Sequence, residues 1–378
     1  MKVVFLDTET SSFPAIHPWQ RGAYLCSVGL AINNEPVQTW LLRHKTEPVK
    51  LFAQAAKEIR AAFRDADLIV AHNAKFDLNW MKTIGITFPD SKIWCTQVVD
   101  YLLNGQYKLK YAMNSVAERY GLEQKFDDMA KYWDEGYDTD EIPADVHLRY
   151  LAQDVEVCRQ IYYAQKDKVE VSGLTKLASL CLEVTDMLSD MEVLGFKFDK
   201  EEAEQALVSL DYKLKELDMK LLEKAGVQFN PSSSAQLSAV LYGGIMTTTE
   251  QETYYTTLKS GEVKEKKRRI RVDRRIPGLG FSPLENSESD SKEGVYSTDK
   301  KTLSLLHART KEQKEFLSIL IERSKTNKMS VTFMSRTKGG GGLINQIGID
   351  GGIHPQFNQT IAITGRLTSS NPDYPLGL

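Results

Sequence analysis

The sequence predicts an α/β domain followed by a mainly helical region. Up to about residue 168, short runs rich in β-branched and aromatic residues alternate with helical stretches, which is typical of an α/β domain. From about residue 169, apolar residues recur at spacings of three and four, which indicates a long amphipathic helix. This stripe consists of Ala203, Leu207, Leu210, Leu214, Leu217 and Leu221. A length of 378 residues exceeds what one hydrophobic core usually organises, so we expect more than one domain.

Local patterns predict the individual elements. Strands are predicted at residues 2–6, 24–32, 37–42 and 68–71. Asp199 precedes the helical stripe and Glu202 follows three residues later, an arrangement that satisfies backbone donors at a helix start. Residues 244–295 lose the helical period and predict an exposed, partly β insertion. Helical patterning returns from residue 300 to about 334, and the glycines at 339–342 predict a flexible turn.

Composition excludes several protein classes. Hydrophobic residues make up 42% and charged residues 26%, which excludes a disordered or fibrous chain. The formal net charge of −3 means that any nucleic-acid surface must come from a local arrangement of cations. The four cysteines form no CxxC pair, so we expect buried thiols rather than a zinc site or a disulfide framework. The opening apolar run is interrupted by Asp7, too early for a signal peptide or a membrane helix.

Two acidic residues close the first predicted strand. Asp7 and Glu9 lie two positions apart, so alternation along a strand places both carboxylates on the same face. Such a pair repels unless a cation lies between its members, and hard oxygen ligands suit Mg²⁺ or Mn²⁺. Taken alone, a DxE motif is more often a pair of solvated residues at a strand end.

Further site candidates come from two helices. Asp77 lies in the first turn of a helix that follows the strand at 68–71 and a polar turn, although Asp is also common there for capping and dipole reasons. Tyr150 and Asp154 are four residues apart, so a helix places them on one face. The alternative for Tyr150 is a packed helix aromatic. The four carboxylates form a site only if they converge in space.

The order and spacing of these motifs resemble the DEDD exonucleases of the tyrosine subtype, as found in the proofreading domain of family A DNA polymerases. Residues 5–10, 72–77 and 150–154 match the first, second and third motifs. In the histidine subtype the base lies five residues before the last Asp, and that position is Arg149 here, so Tyr150 fits better. The resemblance implies a ribonuclease H-like fold, a mixed sheet flanked by helices.

The resemblance also implies a ligand set for two divalent ions, Mg²⁺ or Mn²⁺. One ion is expected at Asp7, Glu9 and Asp154, together with the attacking water. The other is expected at Asp7, with Asp77 acting directly or through water. Tyr150 is expected to orient the attacking water, because a phenol with a pKa near 10 is a poor general base at pH 7.

The second half resembles the thumb and the start of the palm of family A DNA polymerases. The matching segments are residues 191–196, 229–237 and 321–325, then 354–359 followed by a TGRL segment at 364–372. The expected domains are therefore an exonuclease domain at 1–168, a helical thumb at 169–345 with the β-rich insertion at about 244–295, and an incomplete palm at 346–378.

Several side chains are candidate DNA contacts. By resemblance, Arg366 reaches the primer end, Lys325 and Lys328 of the thumb contact the duplex, and Asn73 contacts DNA beside the exonuclease motif. The basic run at 264–275, with Lys267, Arg268 and Arg269 at its centre, predicts contacts to duplex phosphates. The alternative is that these are solvated helix charges and exposed hairpin residues.

These motifs together predict a 3′-5′ proofreading exonuclease that acts on single-stranded 3′ ends and primer-template DNA. The sequence stops soon after Arg366, before the expected palm carboxylates and fingers lysine, so we expect polymerisation only with a second polypeptide that supplies them. We expect a cytoplasmic location, in the host if the gene is phage-encoded, and no membrane partner. The alternatives are a non-catalytic DNA-binding or assembly subunit and an RNA-trimming nuclease of the same catalytic type.

Overall fold

The computed structural model describes residues 1–12, 17–88, 91–122, 128–257, 263–285, 287–289, 292–334 and 342–370. Their contacts divide the chain into two compact units. The first contains Met1–Phe198 and Gln346–Leu378, and the second contains Asp199–Asn345. Most of the predicted glycine turn, residues 339–341, and the end of the TGRL segment at 371–372 lie outside the described residues.

A five-stranded mixed sheet forms the centre of the first unit. Its strands are β1 (Val3–Thr10), β2 (Leu25–Ile32), β3 (Gln38–Leu41), β4 (Leu68–Ala71) and β5 (Lys92–Cys95), arranged in the order β3-β2-β1-β4-β5. The β1–β2 and β2–β3 pairs are antiparallel, whereas β1–β4 and β4–β5 are parallel. The four predicted strands are confirmed. The sequence pattern did not predict the short edge strand β5, because its four residues, which begin with Lys, show little strand periodicity.

Seven helices accompany this sheet. They are α1 (Phe52–Phe63), α2 (Lys75–Thr83), α3 (Thr96–Leu103), α4 (Met113–Arg119), α5 (Ala130–Asp134), α6 (Ala144–Val171) and α7 (Thr175–Leu194). A 3₁₀ turn at Thr139–Glu141 precedes α6. Burial occurs on both faces of the sheet, with α4 and α6 on one side and α1, α2, α3 and α7 on the other.

Alternation along β1 decides which side receives the acidic residues. Val4 and Leu6 belong to the core on the side of α1 and α2, whereas Val3 and Phe5 belong to the core on the side of α6. Asp7 and Glu9 continue the series of Val3 and Phe5, so both carboxylates lie on the α6 side. The sheet pattern therefore directs the acidic end of β1 toward the helix that carries Asp154.

The first unit is completed by residues from the other end of the chain. Strand β6 (Phe196–Lys197) pairs antiparallel with a strand at Gly352–Ile353, and Gln356–Asn358 pairs with Thr368–Ser370. Helix α7 and residues 346–370 thus belong to the same compact unit as the sheet. This contact-based division differs from the functional boundaries at 168 and 345, which remain predictions.

The second unit is helical and carries an exposed hairpin. Its elements, in chain order, are α8 (Lys200–Ala225), α9 (Ser234–Tyr242), β7 (Gly244–Thr257), β8 (Val263–Ile276), β9 (Glu288–Ser289), β10 (Lys292–Tyr296), α10 (Lys300–Leu305), α11 (Lys311–Lys328) and a π-helical turn at Met329–Met334. The three short strands that follow in the chain belong to the first unit: β11 (Gly352–Ile353), β12 (Gln356–Asn358) and β13 (Thr368–Ser370). The predicted long helix and the exposed, partly β insertion are confirmed.

Local signals in the second unit act as the sequence predicts. Asp199 caps α8, because its Oδ1 accepts a hydrogen bond from the Glu202 backbone nitrogen at 2.9 Å. Helices α8 and α11 pack together, and Lys224 pairs with Glu315 across them at 2.5 Å. Leu221 and Phe316 contribute to the core beneath them.

Two further sequence expectations concern the cysteines and membranes. All four cysteines are free thiols; Cys26, Cys95 and Cys158 are buried and Cys181 is half-buried. Among the described residues, no helix combines the length and apolar character needed to cross a lipid bilayer.

Gly29 allows α6 to approach the sheet closely. This residue lies directly opposite Asp7 in the β1–β2 ladder. A Cβ atom at position 29 would lie 2.9 Å from both the Leu151 Cγ and the Val155 Cγ2 of α6. Carbon atoms do not approach this closely without a clash, so glycine at this position sets the distance between β2 and the helix that carries Asp154.

Gly29→Ala is expected to lower the free energy of unfolding by about 1–3 kcal/mol, because overpacking forces side chains off their preferred rotamers. Urea unfolding measures this cost. In a double-mutant cycle, Leu151→Ala should be less destabilising in the Gly29→Ala background than in the wild type, because it removes one of the two clashes. Strictly additive costs would show that the two residues do not limit the approach of α6.

Candidate active site

Three carboxylates converge where β1 ends. Asp7, Glu9 and Asp154 each offer an oxygen atom, and the three atoms lie within 4.8 Å of one another. Asp7 and Glu9 are half-buried, and Asp154 is 4% exposed. Three carboxylates this close repel one another strongly if all are ionised, and a hard divalent cation relieves that repulsion. The chemistry of the donor set therefore fits Mg²⁺ or Mn²⁺.

Asp77 lies beside this group but not within it. It occupies the first turn of α2, as the sequence predicted, and is 2% exposed. The hydroxyl of Thr8, the residue between Asp7 and Glu9, donates a hydrogen bond to Asp77 Oδ1 at 2.7 Å. The fourth carboxylate is thus linked to the acidic end of β1 through one hydroxyl.

Burial changes the titration of Asp77. Desolvation, reinforced by the negative charge of Asp154, raises the pKa of Asp77 from 3.8 to about 7, although the Thr8 hydrogen bond acts in the opposite direction. Without a cation, this carboxyl group therefore binds a proton at higher pH than an exposed aspartate does. A divalent cation bound nearby would favour the ionised form.

Tyr150 lies one helical turn before Asp154 and is 7% exposed. Its ring packs edge to face against Trp133, with a centroid distance of 6.1 Å, and joins a small apolar cluster with Met129 and Ile142. This packing fixes the position of the phenol ring. The side chain is thus a packed helix aromatic, and its role at the carboxylates stays a prediction.

His147 has a different role from the base of the histidine subtype. It is fully buried and shares a hydrogen bond with the Ser27 hydroxyl at 2.7 Å. Burial, together with the nearby His44, lowers the pKa of His147 to about 4, so the ring is neutral at pH 7. Ser27 faces Glu9 in the β1–β2 ladder. The bond therefore fastens α6 to the strand next to the carboxylates, a contact that sequence reasoning missed because the two residues are 120 positions apart.

A buried ion pair anchors the helix that carries Asp77. Lys75, two residues before Asp77, pairs through its Nζ with Glu192 of α7 and also donates to the Phe357 carbonyl oxygen. Glu192 accepts further hydrogen bonds from the Asn79 side chain at 2.8 Å and from the Phe357 backbone nitrogen at 2.7 Å. The Lys75 and Glu192 side chains are 11% and 2% exposed. Helices α2 and α7 and strand β12 therefore meet at one carboxylate.

The candidate DNA contacts are exposed and lie in several different elements of the chain. Asn73 lies in the turn before α2 with a φ of 52°. Arg366 follows a segment that Tyr101 anchors through a 2.6 Å hydrogen bond to the Ala362 carbonyl oxygen. Lys325 and Lys328 lie in the last turn of α11. The hairpin candidates Lys267, Arg268 and Arg269 are exposed on β8, where Arg268 pairs with Glu252.

Comparison with known proteins shows which proteins the chain resembles. Residues 1–170 match the family model for the 3′-5′ exonuclease domain of DNA polymerase A. The chain is also 25% identical over 312 residues to the DNA polymerase DpoZ of Acinetobacter phage SH-Ab 15497, a match that covers 79% of this chain and 44% of that protein. Residues 1–170 belong to the 3′-5′ exonuclease domains found in family A DNA polymerases, which are hydrolases, and they have a ribonuclease H-like fold.

Other relatives and a solved structure extend the likeness along the chain. Identity is 25% to the DNA polymerase of Bacillus phage SP01, over 84% of this chain and 35% of that protein, and 25% to DNA polymerase I of Synechocystis sp., over 97% and 32%. The polymerase domain of Pol1 from M. smegmatis, solved in complex with DNA primer-template and dNTP, superposes with a TM-score of 0.64 at 18% identity, over 98% of this chain and 51% of that chain. The chain thus spans less than half the length of the curated relatives described here.

Metal binding to the exonuclease domain is expected to depend on pH through Asp77. Because the pKa of Asp77 is raised to about 7, a bound ion must displace its proton at lower pH. The apparent affinity for Mn²⁺ should therefore rise as the pH increases toward about 7 and level off above it. Calorimetric titration in two buffers of different ionisation enthalpy reports the released proton. In Asp77→Asn the proton release should disappear, and an unchanged release would contradict the assignment.

Breaking the buried pair is expected to be costly. Lys75→Met leaves Glu192 buried without a counter-charge, which should lower the free energy of unfolding by about 3–5 kcal/mol. Lys82→Met on the same helix is the matched control: Lys82 pairs with Asp186 and Asp190, which are 41% and 69% exposed, so its loss should cost at most about 1 kcal/mol.

The same pair predicts a rescue. Glu192→Gln added to Lys75→Met removes the uncompensated charge and should recover part of the lost stability in urea unfolding. Equal costs for Lys75→Met and Lys82→Met would contradict the anchoring role of the buried pair.

Proposed function

We propose that this chain removes nucleotides from the 3′ end of single-stranded DNA by hydrolysis with two divalent ions, Mg²⁺ or Mn²⁺. The observation that carries the proposal is the convergence of Asp7, Glu9 and Asp154 within 4.8 Å. Asp77 accepts a hydrogen bond from Thr8, the residue between Asp7 and Glu9. Hard oxygen donors from four carboxylates match the ligand preference of these ions. When bound, the ions lower the pKa of a water molecule and stabilise the leaving oxygen.

Each side chain has a distinct part in this proposal. Asp7, Glu9 and Asp154 would hold one ion. Asp7 would also serve the second ion, together with Asp77, which would act directly or through a water molecule. Tyr150 donates a hydrogen bond that orients the attacking water, since its ring is held by packing one turn from Asp154. The packing of the Tyr150 ring and the close approach of α6 to Gly29 hold these side chains in a fixed arrangement.

The proposed substrate is the primer end of a primer-template duplex, so that hydrolysis has a proofreading role. Arg366 offers a planar fork for sugar or base-edge contacts, and Lys325 and Lys328 act as point charges toward phosphates. Asn73, which is exposed in the turn before α2, is a further proposed contact to the strand.

The test is degradation of a 3′-labelled single strand in Mg²⁺ or Mn²⁺. Asp7→Ala combined with Glu9→Ala should lose at least about 10³-fold in rate, because several kcal/mol of transition-state stabilisation are removed. The matched control is Asp134→Ala with Glu135→Ala, two exposed acids at the end of α5, which should retain wild-type activity.

Three outcomes would overturn the proposal. If neither variant loses activity, these carboxylates are not catalytic. A wild type that neither degrades DNA nor gains thermal stability from Mn²⁺ would favour a non-catalytic DNA-binding or assembly subunit. Faster trimming of RNA than of a DNA strand of the same sequence would favour an RNA-trimming nuclease.

A further inference from the structure

An arginine that follows β3 is held against a tyrosine ring. The central carbon of the Arg43 guanidinium lies over the ring of Tyr24, 3.6 Å from its centroid. At this distance the guanidinium stacks on the ring and is attracted to it by a cation–π interaction. The Arg43 side chain is nevertheless 53% exposed. The protein therefore fixes the position of this guanidinium without covering it.

Hydrogen bonds fix the tyrosine in turn. The Tyr24 hydroxyl donates to Asp138 Oδ2 at 2.7 Å, and Asp138 Oδ1 accepts from the backbone nitrogen and the hydroxyl of Ser12 at 2.8 and 3.0 Å. Burial and the bond to Asp138 raise the pKa of Tyr24, so its hydroxyl stays protonated as a donor. Ser12 lies three residues after Glu9. The segment that leaves the acidic end of β1 thus positions the ring on which Arg43 stacks.

The ion pair of Arg43 uses only the inner nitrogen of the guanidinium. Its Nε donates to Asp140 Oδ2 at 3.1 Å, and the Asp140 side chain is 1% exposed. Neither terminal nitrogen of Arg43 has a hydrogen-bond partner among the residues that the structure describes. A guanidinium carries five N–H groups, so four remain for a ligand. A counter-charge for Asp140 requires the Nε bond, but it does not require a stacked guanidinium with its outer nitrogens uncovered.

Arg43 lies on the side of the sheet that carries the candidate metal ligands. Ser27 lies opposite Glu9 in the β1–β2 pair and opposite Leu41 in the β2–β3 pair, so these three side chains share a face. Arg43 is two positions beyond Leu41, and alternation directs it to the same side. Its ion pair with Asp140, in the 3₁₀ turn that precedes α6, agrees with this placement.

A buried thiol lies within electrostatic range of both Glu9 and Arg43. Burial raises the pKa of Cys26, the negative charges of nearby acids that include Glu9 raise it further, and Arg43 acts in the opposite direction. Strand β2 lies between β1 and β3, which are therefore about 10 Å apart in the sheet. Because a stacked nucleic-acid strand carries one phosphate per 3.4 Å, this distance corresponds to about three nucleotides.

We propose that Arg43 binds a phosphate of the single strand about three nucleotides from the 3′ end that the carboxylates hydrolyse. A planar guanidinium can donate two parallel hydrogen bonds to phosphate oxygens, which a lysine cannot do. Stacking on Tyr24 fixes the group in advance and so lowers the entropic cost of this contact. Since Asp140 balances part of the charge, the contact depends on the geometry of the guanidinium rather than on a general excess of positive charge. The inference rests on the proposed exonuclease activity and adds a substrate contact to it.

Substrates of two lengths test the inference. A strand of ten thymidines reaches Arg43, whereas a dinucleotide is too short. Arg43→Gln should raise KM for the ten-mer about 5–10-fold with kcat nearly unchanged, and should change hydrolysis of the dinucleotide by less than about 2-fold. Arg43→Lys should recover only part of the loss, because lysine keeps the charge but not the planar group.

Lys45→Gln is the matched control. The Lys45 side chain is also 53% exposed, and its ammonium group itself pairs with Glu141 at 2.7 Å. This substitution removes the same charge two residues away, so KM for the ten-mer should stay near the wild-type value. Equal increases in KM for Lys45→Gln and Arg43→Gln, or full recovery in Arg43→Lys, would show a general charge effect and overturn the inference.

Neutral linkages locate the contact from the side of the substrate. One phosphodiester of the ten-mer at a time is replaced by an uncharged methylphosphonate, from the second to the sixth linkage counted from the 3′ end. For the wild type, KM should rise chiefly at a linkage near the third, and in Arg43→Gln this sensitivity should disappear. The wild-type series needs no variant, and urea unfolding shows whether Arg43→Gln is folded. Equal sensitivity at every linkage, or the same sensitivity in Arg43→Gln, would contradict the proposed contact.

Failure of this inference and failure of the exonuclease proposal give different results. If Arg43→Gln hydrolyses both substrates as the wild type does, the inference is wrong and the exonuclease proposal stands. If the wild type hydrolyses neither substrate, the exonuclease proposal is wrong. Fluorescence anisotropy of a labelled ten-mer in EDTA then still tests the contact: Arg43→Gln should bind about 5–10-fold more weakly than the wild type, and equal binding would overturn the inference.

Discussion

The close approach of α6 to the β1–β2 pair is the constraint on which the site depends. Gly29 lies opposite Asp7, and the side chains of Leu151 and Val155 occupy the space that a Cβ at position 29 would need. Leu151 follows Tyr150 and Val155 follows Asp154, so the contact that packs the helix also fixes the height of its functional residues above the sheet. The carboxylate distances thus follow from a hydrophobic packing contact.

Electrostatics oppose this packing. The approach of α6 brings Asp154 against two carboxylates, and burial of Asp77 nearby raises its pKa to about 7. Unfavourable charge density of this kind persists when the surrounding structure is rigid enough to maintain it. The Ser27–His147 bond and the Lys75–Glu192 pair provide that rigidity on two sides, one at β2 and one at α2. A divalent cation bound there would relieve the repulsion among these carboxylates.

Rigid anchoring also connects distant parts of the sequence. Glu192 and Phe357 are separated from Lys75 by 117 and 282 residues, yet all three meet at one buried carboxylate. The second motif of the exonuclease is therefore supported by residues that the sequence groups with the thumb and the palm. In the second unit, by contrast, the charges of the β7–β8 hairpin are exposed. Arg268 and Arg274 form cross-strand ion pairs with Glu252 and Glu250.

The sequence alone predicted the strands β1 to β4, the capped helix α8, an exposed, partly β insertion and the candidate acidic residues, because periodicity, capping and motif spacing are local properties. Asp7 and Glu9 share a face for the same local reason. Only the tertiary structure decided that Asp154 converges with Asp7 and Glu9, whereas Asp77 accepts a hydrogen bond from Thr8. Both contacts depend on how closely α6 and α2 pack against the sheet. The tertiary structure was also required for the roles of Gly29, His147 and Glu192 and for the pairing of Arg268 with Glu252. Each of these depends on a contact between residues far apart in the sequence, which carries no local signal.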